Sequence, residues 1–180
     1  MAKYIRVVFY VVAAFACVLA IEATSKQKFA ELKDNSVRTG TFDSIREKQK
    51  QLNCMTQNVY WEAANEPAEG KIAVAQVVMN RIESGQFGST PCQVIFQKNI
   101  ISEKLICQFS WACDKVMTAR PVRQDLWHES QEAAKMVFME GFRLPSLKGV
   151  MYYHADYINP QWKMKRAAHI GRHIFYTRGS

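Results

Sequence analysis

The sequence predicts an α+β domain that is mostly helical, contains a small β lobe, and is preceded by an N-terminal apolar helix. Apolar residues recur at helical spacing in several segments, short β-rich segments lie between and after them, and an unbroken apolar run lies near the N-terminus. The chain of 180 residues is 48% hydrophobic and 22% charged. This composition indicates one globular domain with a short appendage and excludes a disordered protein.

The N-terminal apolar run extends from Val7 to Ile21 and follows Lys3 and Arg6. Its length is that of the hydrophobic region of a signal peptide and falls short of the roughly 20 residues that a membrane-spanning helix needs. We interpret residues 1–21 as a signal peptide, with an uncleaved signal anchor and a buried core helix as alternatives. The first two predict export, to the periplasm or to the outer face of the cytoplasmic membrane.

Residues 22–51 are polar, mixed in charge and rich in Lys, Gln, Ser and Thr. They are typical of a polar tether or a loosely helical stalk ahead of a folded domain over residues 52–180. Within that domain the spacing predicts a helix that begins at Asn53 as its N-cap. The helix should end before Pro67, because the residue preceding a proline is pushed out of the α region.

Several further segments complete the predicted domain. A second helix is expected from Glu69 to Ile82, followed by a turn-rich stretch. The segments Val94-Ile95-Phe96 and Gln108-Phe109-Ser110-Trp111 are typical of short strands or of an irregular lobe. Helical spacing returns over residues 125–142. The tail then contains an extended segment at 150–154, a loop at 160–162 and a closing strand at 174–176.

The five cysteines indicate disulfides rather than a metal site. Cys17 lies inside the apolar run, and the domain contains Cys54, Cys92, Cys107 and Cys113. Their spacing matches no zinc motif, so we expect two structural disulfides in an oxidising compartment, no bound metal and no cofactor. Four cysteines allow three pairings. Cys107 with Cys113 would close a small loop and leave Cys54 for Cys92, and the other two pairings stay open.

The formal net charge of +8 predicts an anionic partner or surface, unless the basic residues only form a solvated face. The sequence lacks an arginine-rich helix, a zinc-finger spacing and an RNP-like aromatic strand, so nucleic acid is not expected. A bacterial cell wall, or a membrane reached through the N-terminal apolar segment, fits the charge. We expect the protein to be a monomer.

Two carboxylates stand four residues apart at the end of the first predicted helix of the domain, Glu62 and Glu66, and therefore share one face. Tyr60 and Trp61 can shield Glu62 from water, which would raise its pKa and keep it protonated near neutral pH. A glutamic acid in that state can protonate a glycosidic oxygen. Two solvated glutamates at a helix end are the alternative interpretation.

The run NCMTQNVYWEAANEPAEGKIAVAQVVMNRI resembles the signature of the SleB-type cell-wall hydrolases, the family that includes the spore cortex-lytic enzymes. Further similar blocks follow in the same order: CQV at 92–94, CQFSWACD at 107–114, YYHADYINPQW at 152–162 and HIGRHIFY at 169–176. The resemblance covers residues 52–178. It implies a catalytic domain of the lysozyme and lytic-transglycosylase superfamily that cleaves peptidoglycan between N-acetylmuramic acid and N-acetylglucosamine.

The resemblance also implies one catalytic glutamate, which falls on Glu62. The family pattern departs at Ala64, where an arginine usually stands, so any role of that arginine in orienting Glu66 or contacting substrate is lost here. Besides Glu66, the groups expected to bind the glycan are aromatic, amide, hydroxyl and imidazole side chains. They are Gln108, Ser110, Trp111, Tyr153, His154, Trp162 and His173. Core packing is the alternative role for Trp111 and Trp162.

Two reactions can follow protonation of the glycosidic oxygen by Glu62. In a lytic transglycosylase the ionised Glu62 then takes a proton from the muramic C6 hydroxyl, which attacks C1 and leaves a 1,6-anhydro end. In a muramidase a second carboxylate, Glu66 or Asp114, activates water. The resemblance favours the first reaction, in wall remodelling or in phage-type lysis as an endolysin. A catalytically impaired peptidoglycan-binding protein and a wall peptidase or amidase are the competing classes.

Overall fold

The computed structural model describes residues 2–101 and 103–178, with the side chains of 2–17, 20, 32–42 and 101 left out. The chain divides into two compact units, Met1–Glu47 and Lys48–Ser180. The helices are α1 (Ala2–Ala63), α2 (Ala68–Glu83), α3 (Pro91–Ile95), α4 (Lys115–Thr118) and α5 (Gln124–Phe138), with 3-10 helices at Ser110–Cys113 and Pro145–Leu147. The strands are β1 (Lys98–Ile101), β2 (Lys104–Cys107), β3 (Tyr152–Ala155), β4 (Lys165–Ile170) and β5 (His173–Thr177).

Helix α1 corrects two expectations for the N-terminal third of the chain. The apolar run is not a separate helix, because α1 continues through residues 22–51 to Ala63. The helical backbone over residues 22–51 agrees with a helical stalk, one of the two forms expected there. Asn53 is therefore an exposed residue inside α1 and not its N-cap. Lys, Gln and Glu are good helix formers, and no proline interrupts the segment, so its polarity does not prevent a helix.

The expected signal peptide or signal anchor, residues 1–21, belongs to the first unit. No helix in the described part of the chain is long and apolar enough to cross a membrane. The side chain of Cys17 lies outside the described residues. The assignment of residues 1–21 to a signal peptide or anchor stays a prediction.

Helix α2 is the central element of the second unit and is buried continuously from Gly70 to Val78. One face packs in a core formed by the C-terminal part of α1, by α3, by Phe109 and Trp111, and by α5. The opposite face, with Ala73 and Val77, packs on the β3–β5 sheet through a second core. Its buried positions are mostly apolar, as an enclosed helix requires. Four buried polar side chains on it, Lys71, Gln76, Asn80 and Arg81, donate hydrogen bonds to groups outside the helix.

The β structure consists of two small antiparallel sheets. β1 and β2 form a hairpin, and β3, β5 and β4 form a three-stranded sheet in that order. In the larger sheet Tyr153 pairs with Phe175 and Ala155 with His173. This register places Tyr153 and His173 beside each other, with their rings in edge contact at 5.2 Å between centroids.

Two segments that were expected to be short strands or an irregular lobe do not form strands. Val94-Ile95-Phe96 is the end of α3 and its C-cap, because Pro91 occupies the first turn and Thr90 accepts a hydrogen bond from the Gln93 N–H as N-cap. The segment 108–111 follows β2 and turns into a 3-10 helix at Ser110. The second helix, the helix over 124–138 and the strands around 152 and 174 are confirmed.

The second unit contains two disulfides, Cys54 with Cys92 and Cys107 with Cys113. This is one of the three pairings that the sequence left open. The first connects α1 to α3, beside a hydrogen bond from the Cys92 N–H to the Gln51 side chain at 2.9 Å. The second closes the loop that contains Ser110 and Trp111. Covalent ties of this kind stabilise mainly by restricting the unfolded chain.

Candidate active site

Glu62 lies in the last turn of α1, at the point where the chain leaves the helix. The Glu66 N–H bonds to the carbonyl of Ala63 at 3.0 Å and closes a turn, and Pro67 then begins the approach to α2. The turn projects the half-buried Glu62 side chain into a surface cleft rather than into the core.

The cleft has two arms that meet at Glu62. Six residues line both arms: Trp61, Glu62, Met117, Ala155, Tyr157 and His173. One arm, of about 440 Å³, is lined beyond them chiefly by Ala64, Glu66, Arg120, Arg123, Leu126 and Arg172, and we call it the basic arm. The other, of about 480 Å³, continues along Ser110, Trp111, Tyr153, His154, Pro160 and Trp162, and we call it the aromatic arm. A chain of sugars lying along both arms would place one bond at Glu62.

Tyr153 contacts the Glu62 carboxyl group directly. Its hydroxyl donates a hydrogen bond to Glu62 Oε2 at 3.0 Å. Burial raises the pKa of Glu62 from its ordinary value, as the sequence predicted, while the Tyr153 hydrogen bond and the charge of Arg81 oppose the rise. Burial and the neighbouring Glu62 raise the pKa of Tyr153 well above its usual range, so the phenol keeps its proton as a donor.

Arg81 is a buried cation near this pair. It comes from α2, and its Nε donates to the carbonyl of Met151 at 2.9 Å. The guanidinium lies 5.2 Å and 5.0 Å from the ring centroids of Phe87 and Phe109. Its buried Nη1 has no hydrogen-bond partner in the described part of the chain. The charge of Arg81 therefore acts on Glu62 through a medium with little water to screen it.

The aromatic arm is built from side chains that are fixed in place. Trp111 is buried, donates from Nε1 to Asn58 Oδ1 at 3.1 Å and stacks on Trp61 with 6.4 Å between centroids. His154 donates from Nδ1 to the carbonyl of Ala155 at 2.8 Å, which leaves Nε2 to accept from the Tyr176 hydroxyl at 3.0 Å. These bonds hold the wall of the arm rigid.

Trp162 is the outer aromatic residue of this arm and is 40% exposed. Its ring meets those of His154 and Tyr176 edge-on, at 5.4 Å and 5.8 Å between centroids. Its exposed part is available for contact with a ligand in the arm. Trp111 also belongs to the core, so the packing role weighed from the sequence and a lining role coexist in one residue.

Glu66 and Asp114, the candidates for a second carboxylate, both serve the backbone. Glu66 is buried, and its Oε2 accepts from the Arg172 N–H at 2.8 Å in the β4–β5 turn. Gly171 precedes that nitrogen with a φ of +57°, and a Cβ there would collide with Glu66 Oε2. Asp114 caps α4 by accepting from the N–H groups of Val116 and Met117.

His173 lines the cleft where the two arms meet. It is buried, and its Nδ1 has no hydrogen-bond partner in the described part of the chain. Burial lowers the pKa of His173, against the opposing charges of Glu66 and Asp156. The imidazole is therefore neutral near pH 7 and can donate or accept one hydrogen bond. No group of three His, Cys, Asp or Glu side chains in the described ranges could hold a metal ion.

The structure separates the predicted glycan-binding residues into two groups. Most of them line the cleft, but Gln108 does not. Its backbone N–H bonds to the carbonyl of Gln97 at 2.9 Å, beside the β1–β2 hairpin. The cleft also contains residues that the sequence did not indicate as ligands, namely Trp61, Tyr157, Met117, Arg120 and Arg123. Trp61, which the sequence indicated only as a shield of Glu62, and Tyr157 lie within the blocks that resemble the family. Met117, Arg120 and Arg123 come from α4 and the loop after it, outside those blocks, so only their arrangement in three dimensions identifies them.

A model of the Cell Wall Hydrolase family matches residues 65–176, a range that begins three residues after Glu62 and includes most of the residues that line the cleft. The chain is 30% identical over 131 residues to a spore cortex-lytic enzyme of Oceanobacillus iheyensis, covering 71% of this chain and 41% of the relative. It is 29% identical over 126 residues to the spore cortex-lytic enzyme of Bacillus subtilis, covering 69% and 36%. The chain thus spans less than half the length of these curated relatives.

Two solved structures share the fold. The catalytic domain of the germination-specific lytic transglycosylase SleB from Bacillus anthracis matches with a TM-score of 0.55 and 26% identity, over 72% of this chain and 95% of that one. The catalytic domain of the Bacillus cereus SleB protein matches with a TM-score of 0.53 and 26% identity, over 72% and 91%. The similarity therefore covers nearly the whole of each of those catalytic domains.

Proposed function

The chain belongs to the SleB-type Cell Wall Hydrolase family, and from this premise we propose that it cleaves the glycan strands of bacterial peptidoglycan as a lytic transglycosylase with Glu62 as its acid. One solved neighbour is named a lytic transglycosylase, and the curated relatives are named spore cortex-lytic enzymes. We place the scissile bond between N-acetylmuramic acid and N-acetylglucosamine, where those two sugars meet at the junction of the cleft.

The position of Glu62 carries the proposal. Its carboxyl group lies where the two arms meet, and burial raises its pKa, so it holds a proton at a higher pH than an exposed glutamate does. A protonated carboxylic acid beside the glycosidic oxygen can donate to the leaving group as the bond breaks. The Tyr153 hydroxyl, bonded to Oε2, then stabilises the carboxylate that remains.

The second half of the reaction follows from the same carboxylate. As positive charge develops at C1 of the muramic acid, ionised Glu62 takes the proton of its C6 hydroxyl, and O6 bonds to C1. The products are a 1,6-anhydro end and a free C4 hydroxyl, Glu62 regains its proton, and no water is consumed. The engagement of Glu66 and Asp114 with backbone N–H groups supports this route over one that needs a second free carboxylate.

Hydrolysis to an ordinary reducing end is the alternative reaction. Glu66 is the group that would then activate water, since its carboxylate lines the basic arm next to Glu62. A catalytically impaired wall-binding protein is a weaker alternative, because it would have no need of a buried acid at the junction of the cleft.

The reaction belongs outside the cytoplasm, where peptidoglycan lies. Two disulfides in the second unit fit an oxidising compartment and support export. Transport or anchoring by residues 1–21 remains our prediction from the sequence. Wall remodelling by a bacterium and phage-type lysis both remain open roles for such an enzyme.

The test compares Glu62→Gln with Glu66→Gln on purified sacculi. Glutamine keeps the size and polarity of Glu62 but cannot donate a proton, so cleavage should fall by at least roughly two orders of magnitude. Glu66→Gln removes the carboxylate charge but keeps an oxygen that can accept from the Arg172 N–H, so it should reduce cleavage less. Mass spectrometry of the soluble products should show 1,6-anhydromuramic ends. An active Glu62→Gln variant would refute the acid assignment, and ordinary reducing ends alone would establish hydrolysis.

A further inference from the structure

The two arms of the cleft differ in charge. The basic arm contains three arginines, Arg120, Arg123 and Arg172, whereas the aromatic arm contains no arginine or lysine among its described lining residues. We propose that the basic arm binds carboxylates of the peptide stem on the muramic acid next to the scissile bond, so that peptide-bearing glycan is the preferred substrate. This inference rests on the glycan cleavage proposed above and adds the chemical class of strand that is cleaved.

Two of the three arginines have guanidinium groups available to a ligand. Neither Arg120 nor Arg172 forms an ion pair with an acidic side chain in the described part of the chain. Arg123 is partly engaged, because it pairs with Asp125 at 2.6 Å on the surface. Arg120 and Arg172 are exposed, so both can reach a ligand that lies in the arm without a change of fold.

Arg172 is held at the inner end of the basic arm. Its backbone N–H is bound by Glu66, and its guanidinium lies 5.7 Å from the ring centroid of Tyr157, which lines both arms. The β4–β5 turn thus presents a cation close to the junction at which Glu62 lies. A group bound to Arg172 would be attached to the sugar next to the scissile bond rather than to a distant one.

The substrate offers few groups that suit such cations. The hydroxyl and N-acetyl groups of the sugars are neutral, whereas the peptide stem of muramic acid carries several carboxylates. Arginine binds carboxylates through two parallel hydrogen bonds, and such charge-assisted bonds are about twice as strong as neutral ones. An arm built only for sugar rings would use aromatic faces and neutral groups, as the aromatic arm does.

The experiment measures kcat/KM on two soluble substrates of equal chain length. One is glycan strands with intact peptide stems, and the other is the same strands treated with an amidase, which removes the stems and leaves only the lactyl carboxylate. The wild-type chain should prefer the first substrate by roughly tenfold or more, as expected for one or two charge-assisted hydrogen bonds. The double variant Arg120→Gln/Arg172→Gln should bring the ratio of the two values close to one.

Arg166→Gln is the matched control, because Arg166 is an exposed arginine on β4 that does not line the cleft. It removes one positive charge and should keep the wild-type ratio. Unfolding curves of all variants show whether the fold is retained, and the ratio itself is insensitive to a loss of active protein.

Three outcomes would overturn the inference. Equal cleavage of both substrates by the wild-type chain would show that the stem is not recognised and would leave glycan cleavage intact. The same loss of ratio in Arg166→Gln would assign the preference to net charge rather than to the basic arm. Cleavage of neither substrate by the wild-type chain would refute the proposed function, and the inference with it.

Discussion

Burial and two neighbouring groups, Tyr153 and Arg81, set the proton affinity of Glu62. Burial raises its pKa, while the Tyr153 hydrogen bond and the Arg81 charge lower it. Because the Tyr153 bond favours the ionised form, Tyr153→Phe should raise the pKa of Glu62 further and move the alkaline limb of the pH–rate profile to higher pH. The rate at the optimum should fall by roughly tenfold, since the developing carboxylate loses a donor.

The matched control for that variant is Tyr152→Phe, on the same strand but without a hydrogen bond to Glu62. Its pH–rate profile should keep the wild-type limb. A limb that moves to lower pH in Tyr153→Phe, or that moves equally in both variants, would contradict the role given to the Tyr153 hydroxyl.

The raised pKa of Glu62 also makes a prediction about stability. Above its ordinary value of 4.5, the unfolded chain releases the Glu62 proton while the native state still holds it. The free energy of unfolding must therefore fall as pH rises from about that value through the raised native pKa. Glu62→Gln cannot ionise, so its stability relative to the wild-type chain should increase over this range. Urea denaturation between about pH 4 and pH 8 measures the difference.

Glu132→Gln, which changes an exposed glutamate on α5, is the control for this comparison. Any trend that this control shares with Glu62→Gln would come from the loss of a negative charge in general and not from the burial of Glu62. A stability difference between Glu62→Gln and the wild-type chain that stays constant across the range would mean that burial of Glu62 does not shift its titration.

The sequence predicts a site residue when a local pattern marks it, and it does not when only the packing of distant segments brings the residue to the site. Glu62 follows from the sequence, because a helix end with adjacent aromatic residues is a local pattern. Arg120 and Arg172 do not, because their nearness to Glu62 depends on how α4, the β4–β5 turn and α1 pack together. Gln108 lies in a similar block of sequence but does not line the cleft, which its local pattern does not reveal.

Helix capping and strand pairing explain the helices and strands that the sequence patterns did not predict. Val94-Ile95-Phe96 is β-branched and apolar, yet Thr90 and Pro91 start a helix there. Strand β4, Lys165–Ile170, was not predicted, because it is largely exposed and lacks an alternating apolar pattern. It forms through its pairing with β5, a long-range contact that local propensity does not encode.

The two disulfides close loops of different size, which predicts different contributions to stability. Cys54 and Cys92 are 38 residues apart, and Cys107 and Cys113 are 6 apart. Loop-closure entropy gives a loss in the free energy of unfolding of about 4 kcal/mol for the double alanine variant of the first pair and about 2 kcal/mol for the second. Urea denaturation of the two variants measures both losses.

The same variants separate stability from binding. The Cys107–Cys113 loop contains Ser110 and Trp111 of the aromatic arm, so opening it should raise KM while kcat is retained. The Cys54–Cys92 variant should keep both constants at temperatures where it is folded. A larger stability loss for the smaller loop would contradict the entropic explanation.

For the molecule as a whole, the second unit contains the parts that fold and bind. Every buried side chain in the described ranges lies at or after Gln51, and every residue that lines the cleft lies at or after Tyr60. A chain that begins at Lys48 keeps the Gln51 contact to Cys92 and the disulfide beside it. It loses only helix backbone and exposed side chains among the residues whose side chains are described.

We therefore expect residues 48–180 to fold alone with one cooperative thermal transition, as a compact domain with its own core does. Their kcat on soluble glycan fragments should stay within about twofold of that of the full chain, since no group of the cleft is removed. On intact cells or sacculi any contribution of residues 1–47 to localisation would be lost, so soluble fragments are the informative substrate.

Helix α1 gains a new N-terminus at Lys48, whose first turn will fray, but Leu52 and Met55 anchor it in the core one turn later. A truncated chain that aggregates, or that folds and fails to cleave, would show that residues 1–47 supply something the active domain requires.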